Sequence, residues 1–474
     1  MKVLFVTSES FPFAGTGGLG EVSGALPKAL RGQKIAARVV MPLYGEIAPE
    51  HRSAMKLTSS FYVPVAWRNQ YCGVYEYTFR GVKYYFLDNE YYFKRGGLYG
   101  YFDDAERFAF FCRAVLEMFS RIGFFPQIIH CNDWQTSLVP VFLDLYYRDL
   151  HKYRSIKTLT TIHNIQYQGK YYMDVAEDVL GVDLSKLHVL EYNSSVNLLK
   201  GAIVSSDRVS TVSPSYASEI LDPWFAHGLD PLLNDNAFKL RGILNGIDTV
   251  LYDPASDGCI AAKFSADDLA GKALCKDDLI GEFALSPGDE PVIGIVSRLV
   301  SHKGFDLIKY MLEYILFSGM KVVMLGAGEH EYENIFTEFA ARYPDRFGLK
   351  LGFYPELARK IYAGSDMLLM PSKSEPCGLS QMIALRYGSI PIVRETGGLK
   401  DTIVDCGDKS GNGFTFKSYN AHDMLDACLR AKADYEDKAL WLALVRRSMS
   451  CDNSWRRAAG KYVELYNEIL NLWD

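Results

Sequence analysis

Chemistry in this chain concentrates in a few short stretches where cations, carboxylates, imidazoles and glycines stand directly after apolar runs. The densest is Ser297-Arg298-Leu299-Val300-Ser301-His302-Lys303-Gly304. It places two cations at the mouth of a helical stretch. A guanidinium binds a phosphate bidentately and an ammonium adds a point charge, so the pair suits a diphosphate. A second stretch, Pro371-Ser372-Lys373-Ser374-Glu375-Pro376-Cys377-Gly378-Leu379-Ser380, offers Glu375 as the best carboxylate for work on a substrate. A two-carboxylate hydrolase needs a close second acid; none follows until Glu395, and Asp133 is the other candidate partner. In the first half, His130-Cys131-Asn132-Asp133-Trp134 and Thr161-Ile162-His163-Asn164-Ile165 each end an apolar run with polar residues. Near the N-terminus, Gly15-Thr16-Gly17-Gly18-Leu19-Gly20 is neither GxGxxG nor a Walker A sequence. Such a loop fits an anion cradle, because backbone amides approach closely where there is no Cβ, and equally fits a tight strand-to-helix turn. There is no GxSxG elbow, HExxH helix or EF-hand loop, and Cys377 has no evident base.

These residues need elements to hold them, and the pattern supplies two α/β halves. Lys2–Ser8 reads as a strand, followed by the glycine loop and a helix through Leu30. Further buried strands are expected at Arg38–Met41, Tyr84–Leu87, Gln127–His130, Lys157–Ile162 and Arg208–Val212, with helices at Glu106–Phe119 and Leu138–Tyr147 between them. This alternation predicts a parallel sheet. The pattern restarts after Pro287-Gly288. Strands are expected at Pro291–Val296, Lys321–Leu325, Met367–Met370 and Ile390–Val393, and helices at Gly304–Phe317 and Tyr332–Tyr343. Thr396-Gly397-Gly398-Leu399 repeats Thr16-Gly17-Gly18-Leu19, as two similarly built halves would. A seam is expected near Asn245-Gly246-Ile247-Asp248, and Trp455–Leu472 reads as one amphipathic helix. The domains are therefore expected at 1–243, 244–454 and a helix at 455–474 that crosses back to the first. Two doubly wound sheets facing each other enclose a deep cleft at the carboxyl ends of their strands.

The 474 residues carry 51 Lys+Arg against 57 Asp+Glu, a net charge of −6, with 49% apolar residues. No basic run suits nucleic acid or an anionic membrane surface. The nine cysteines are scattered and lack CxxC spacing, which fits reduced thiols in a cytoplasm. The N-terminal apolar run is too short for a signal peptide, and no stretch is long enough to span a bilayer. Aromatics reach 14% and crowd between Tyr71 and Phe102. Such rings stack on sugars, but strands and cores favour them too, and core is expected for most.

Taken together, Ser8-Glu9, Thr16-Gly17-Gly18-Leu19-Gly20-Glu21-Val22, Glu106-Arg107-Phe108, His130-Cys131-Asn132-Asp133-Trp134, Thr161-Ile162-His163-Asn164-Ile165, Val212-Ser213-Pro214, Leu244-Asn245-Gly246-Ile247-Asp248, Ser297-Arg298-Leu299, Lys303-Gly304, Glu375-Pro376-Cys377-Gly378-Leu379 and Thr396-Gly397-Gly398-Leu399 resemble the bacterial glycogen and plant starch synthases, glycosyltransferase family five. They run in family order over nearly the whole chain. The resemblance implies the GT-B fold, two Rossmann-like domains around a cleft, with closure about a hinge near residues 240–250. It implies retaining transfer of glucose from ADP-glucose to the non-reducing end of an α-1,4-glucan. It implies no cofactor or metal, and leaves the oligomeric state open.

Residue by residue, the resemblance implies that Arg298 and Lys303 hold the donor diphosphate and assist the leaving nucleotide. Glu375 orients the glucose, and the amides after Cys377, those of Gly378, Leu379 and Ser380, cradle glucose or phosphate. His163 and Asn245 lie by the glucose, and Asp133 helps order the site. Gly15, Thr16, Gly17 and Gly18 form the donor-side glycine loop, and Phe353 stands where the family stacks an aromatic on adenine. Glu9, Glu21 and Asn164 lie on the acceptor side. One departure is plain: Gly15 replaces the lysine of the family's Lys-Thr-Gly-Gly-Leu motif. Its loss predicts weaker donor binding or altered donor choice. It keeps open a relative using UDP-glucose or another acceptor, and a non-catalytic glucan-binding relative.

Overall fold

The computed structural model describes residues 1–472 and divides into two compact units, Met1–Asn245 with the segment from Trp455 onward, and Gly246–Ser454. The chain enters the second unit beside the place where it leaves: Ile247 N donates to Asn453 O at 2.8 Å.

The first unit is built on a nine-stranded sheet. In chain order its strands are β1 (Lys2–Val6), β2 (Ala36–Pro42), β3 (Lys56–Val65), β4 (Arg68–Phe79), β5 (Val82–Asp88), β6 (Ile128–Asn132) and β7 (Lys157–Ile162). A small separate sheet takes β8 (Lys170–Tyr171), β9 (Glu191–Tyr192) and β10 (Ser195–Asn197), and β11 (Arg208–Thr211) and β12 (Leu240–Gly242) return to the large one. The spatial order is β12-β11-β7-β6-β1-β2-β5-β4-β3. From β12 to β5 all neighbours are parallel. These strands are apolar on both faces because helices cover both: β7 is buried throughout, and β1 beyond its first residue.

The antiparallel hairpin β3–β4 extends the sheet beyond the parallel strands expected from sequence. Its two-residue connection, Ala66-Trp67, carries none of the Asn-Gly or Asp-Gly signals that mark such turns, although Ala66 takes the positive φ they require. Much of the aromatic cluster packs here and beside it. Tyr84, Tyr85, Phe86, Tyr92 and Phe93 are buried, whereas Tyr71, Tyr91 and Phe102 are exposed.

The helix Gly18–Gly32 turns its apolar stripe, Leu19, Val22, Leu26 and Leu30, inward. The C-terminal helix Trp455–Leu470 packs on it, burying Trp455, Tyr462, Leu465, Tyr466 and Ile469. The expected helix Leu138–Tyr147 is α-helical to Phe142 and widens into a π turn over Leu143–Tyr147.

The second unit is a six-stranded parallel sheet of β13 (Val292–Val296), β14 (Lys321–Gly326), β15 (Phe347–Leu351), β16 (Met367–Met370), β17 (Ile390–Arg394) and β18 (Phe414–Phe416), in the order β15-β14-β13-β16-β17-β18. Each sheet reverses its direction of winding beside its first strand, β1 between β2 and β6, β13 between β14 and β16. Loops leaving the carboxyl ends at such a point diverge and leave room for a ligand.

Candidate active site

In the first unit, the loop after β1 folds back on itself before the helix Gly18–Gly32. Glu9, buried, organises it: Oε2 accepts from Thr16 N at 2.7 Å, and Oε1 accepts from Thr16 Oγ1 at 2.9 Å and Tyr99 Oη at 2.8 Å. With both carboxylate oxygens so engaged, Glu9 fixes the glycine loop. A Cβ at Gly17 or Gly18 would meet nothing within 4 Å, so this loop borders open space. A Cβ at Gly15 would sit 3.0 Å from the Phe11 ring. The echo Thr396-Gly397-Gly398-Leu399 differs: Cβ atoms at Gly397 and Gly398 would lie 2.1 Å from Glu375 O and 2.0 Å from Cys377 O. The same four residues thus form an open loop in one unit and a close-packed support in the other.

Asp133 follows β6, the neighbour of β1. Its backbone, φ +57° and ψ −177°, lies in a region that essentially only glycine adopts. Its Oδ1 accepts from His163 N at 2.7 Å, which ties the end of β6 to the end of β7. Burial pushes the carboxyl up to about 7, against the pull of the His163 and Asn164 amides. Burial holds the His163 imidazole down at about 3, so it is neutral. The Asn132 amide nitrogen donates to Val6 O and His130 O, which leaves its Oδ1 to accept from His163 Nε2 at 3.0 Å. His163 therefore carries its proton on Nε2 and keeps Nδ1 as an acceptor. Asn164 Oδ1 accepts from Gln166 N and closes a turn. Glu21, in the first turn of its helix, is pushed up to about 7 by burial. Asn245 is buried, and its Oδ1 has no partner among the described residues.

In the second unit, Arg298 follows β13 and is exposed, with no ion pair or hydrogen bond to its guanidinium among the described residues. Lys303 reaches the loop after the neighbouring strand β16: its Nζ donates to Glu375 Oε2 at 2.7 Å, where Ser372 Oγ also donates at 3.0 Å. The two loops are in backbone contact. Lys373 N donates to His302 O at 2.8 Å, and a Cβ at Gly304, where φ is +81°, would lie 2.2 Å from Pro371 O. Beyond the buried Cys377, the amides of Gly378, Leu379 and Ser380 donate to no acceptor among the described residues. Phe353, in the loop after β15, is 87% exposed.

The sequence reading missed the supports of these loops. Gly326-Ala327-Gly328 at the end of β14 packs on Ser297–Leu299, with Leu299 N donating to Ala327 O at 3.0 Å. The glycine pair at the end of a strand was the available signal. Arg394 donates from Nε to Ser372 O at 2.8 Å and from Nη2 to Lys373 O. Two members of the motif stretches lie away from any ligand surface. His130 is fully buried between Tyr466 Oη (2.8 Å) and Thr161 Oγ1 (2.6 Å), and so secures the C-terminal helix. Arg107 is fully buried against Asp104 and the Tyr92 and Leu98 carbonyls.

Comparison with known proteins covers nearly the whole chain. Residues 2–235 match the model of the starch synthase catalytic domain, and residues 278–441 that of glycosyl transferases group 1. The glycogen synthase of Geobacillus thermodenitrificans is 48% identical over 99% of this chain and 98% of its own. The chain belongs to the glycogen and starch synthase family. It is thus a glycosyltransferase of GT-B fold. The glycogen synthase of Clostridioides difficile is 46% identical over 99% of this chain and 100% of its own. The catalytic domain of starch synthase IV from Arabidopsis thaliana, solved with ADP and acarbose, superimposes with a TM-score of 0.90 at 35% identity, covering 99% of both chains. A sucrose-phosphate synthase from Thermosynechococcus elongatus, at 17% identity and a TM-score of 0.63, shares the fold. No helix among the described residues is long and apolar enough to cross a membrane.

Proposed function

We propose that this chain transfers glucose from ADP-glucose to the non-reducing end of an α-1,4-glucan, with retention, and releases ADP. The observation that carries this reading is the set of groups after β13 and β16: an exposed Arg298, the Lys303–Glu375 pair, and the amides of Gly378, Leu379 and Ser380 that meet no acceptor among the described residues. That set suits a sugar diphosphate. Arg298 grips the phosphates bidentately, Lys303 adds charge at the bond that breaks, and Glu375 is left one carboxylate oxygen for glucose hydroxyls. Phe353 offers a face to adenine. The positive charge comes from side chains, so the reading calls for no metal or organic cofactor.

From the first unit, His163 Nδ1 accepts from a sugar hydroxyl, Asn245 Oδ1 does the same, and Asp133 holds His163 in place. In this reading Gly15 to Gly18 are assigned to the donor, and Glu9, Glu21 and Asn164 to the acceptor. In the reaction, the bond from glucose C1 to the β-phosphate oxygen breaks. The terminal 4-hydroxyl oxygen bonds C1 on the same face, and its proton passes to the departing phosphate. We place the enzyme in the cytoplasm, where its nine cysteines stay as thiols. Its partners in this reading are the sugar nucleotide and the glucan, with neither nucleic acid nor membrane.

The test measures ADP and UDP release from ADP-glucose and UDP-glucose, with and without glycogen. Glycogen-dependent ADP release that disappears in Glu375→Ala is the expected result. Release only from UDP-glucose changes the donor. No release from either, with glycogen still bound, leaves a glucan-binding protein.

A further inference from the structure

We propose that Gln381 is a positioning residue that aims the Gly378 and Leu379 amides at the donor. The inference rests on the donor reading above and concerns a residue no motif singled out. Gln381 is fully buried on the helix Ser380–Arg386. Its Nε2 donates backwards to Cys377 O at 3.0 Å and Gly378 O at 2.9 Å, and lies 3.2 Å from Thr402 Oγ1. Thr402 Oγ1 in turn donates to Gly398 O at 2.6 Å, and Gly398 N donates to Glu375 O at 3.1 Å. One carboxamide thereby closes a ring of contacts around the loop that carries Glu375.

The consequence follows from peptide geometry. In a trans peptide the C=O and the N–H point in opposite directions. The Cys377 carbonyl shares its peptide with the Gly378 amide, and the Gly378 carbonyl with the Leu379 amide. Drawing both carbonyls toward Gln381 turns both N–H groups away from it. These are two of the amides that meet no acceptor among the described residues. The conformation also needs glycine: φ at Gly378 is +70°, and a Cβ there would lie 2.5 Å from Gln381 Oε1. Two peptides are thus held with their donors outward before any ligand arrives. Such preorganisation is what makes donors effective against a charged or polar ligand.

The discriminating variant is Gln381→Glu, which keeps the shape and removes the donor. A carboxylate faces two carbonyl oxygens unfavourably, so the peptides lose their orientation. When that carboxyl is protonated, its O–H donates again. The expected result is weaker binding of the donor above neutral pH, by roughly ten- to a hundredfold, recovering as pH falls. Binding of ADP and of ADP-glucose is measured by calorimetry without glucan, on wild type, Gln381→Glu and Gln381→Met, with melting temperatures alongside. A loss for both ligands assigns the amides to the β-phosphate. A loss for ADP-glucose alone assigns them to the sugar. Wild-type affinity in Gln381→Glu at every pH, or in a folded Gln381→Met, overturns the proposal. Wild type that binds neither ligand overturns the donor reading first, and this inference with it.

Discussion

Lys303 and Glu375 stand on loops that follow neighbouring parallel strands, and their charges meet at 2.7 Å with Glu375 almost wholly buried. Removing one member of such a pair strands the other charge. Glu375→Gln keeps the volume and the Ser372 contact but loses the charge. We expect kcat to fall by about a hundredfold or more, because the carboxylate stops holding Lys303 and, in the proposed reading, the sugar. Steady-state ADP release on a folded variant checks this.

Arg298 presents the opposite case. It is exposed and its guanidinium has no partner among the described residues, so Arg298→Ala should leave the melting temperature nearly unchanged. The donor KM should rise by about ten- to a hundredfold, the value of one lost charge-assisted contact. Equal losses in stability and affinity would point to a structural role.

Asp133 and Glu21 link stability to pH. Each carboxyl titrates at about 7 when folded, against a usual value near 4. Below about pH 4 both states hold the proton and burial costs nothing through these groups. As pH rises from about 4 to about 7, the unfolded chain releases its protons first, and stability falls. The penalty is constant above that window. Asp133→Asn and Glu21→Gln should each flatten the decline, which denaturant melts at closely spaced pH values resolve.

The Asp133 backbone gives a separate test. Its conformation suits glycine and costs on the order of 1–3 kcal/mol for other residues. Asp133→Gly should hold or raise stability while activity drops, because the His163 amide loses its acceptor. A stability loss without an activity loss would contradict the assignment.

Gly15→Lys restores the cation that the family motif carries. The added Cβ meets the Phe11 ring at 3.0 Å, and that ring is half-exposed and able to yield. If Gly15 belongs to the donor site as proposed, the donor KM should fall by up to about tenfold, because an added ammonium there outweighs some repacking of Phe11. An unchanged donor KM, in Gly15→Lys and in the double variant with Phe11→Ala, would remove Gly15 from the donor site.

Periodicity found most of what positions these residues. The runs around β1, β6, β7, β13 and β16 are apolar without alternation, because both faces of a parallel strand are buried, and that pattern needs no tertiary knowledge to read. The hairpin β3–β4 escaped because its strands are half-buried and mixed in character, and its turn has no diagnostic residue. Gln381 escaped for another reason. A glutamine in a short helix carries no signal until its amide is seen facing two carbonyls.

The amino-acid sequence by itself determined the residue types at the strand ends, their order, the two α/β halves and the family. Those properties are local or linear: an apolar run, a glycine after it, a cation after that. Tertiary structure alone decided the strand order, which sets β6 beside β1 and β16 beside β13. Only that order lets Glu375 meet Lys303 from 72 residues away, and only folding half-buries Asp133 and neutralises His163. The physical reason is common to all three. Burial and hydrogen-bond partnership depend on which distant segments come together, and no short window of sequence contains them.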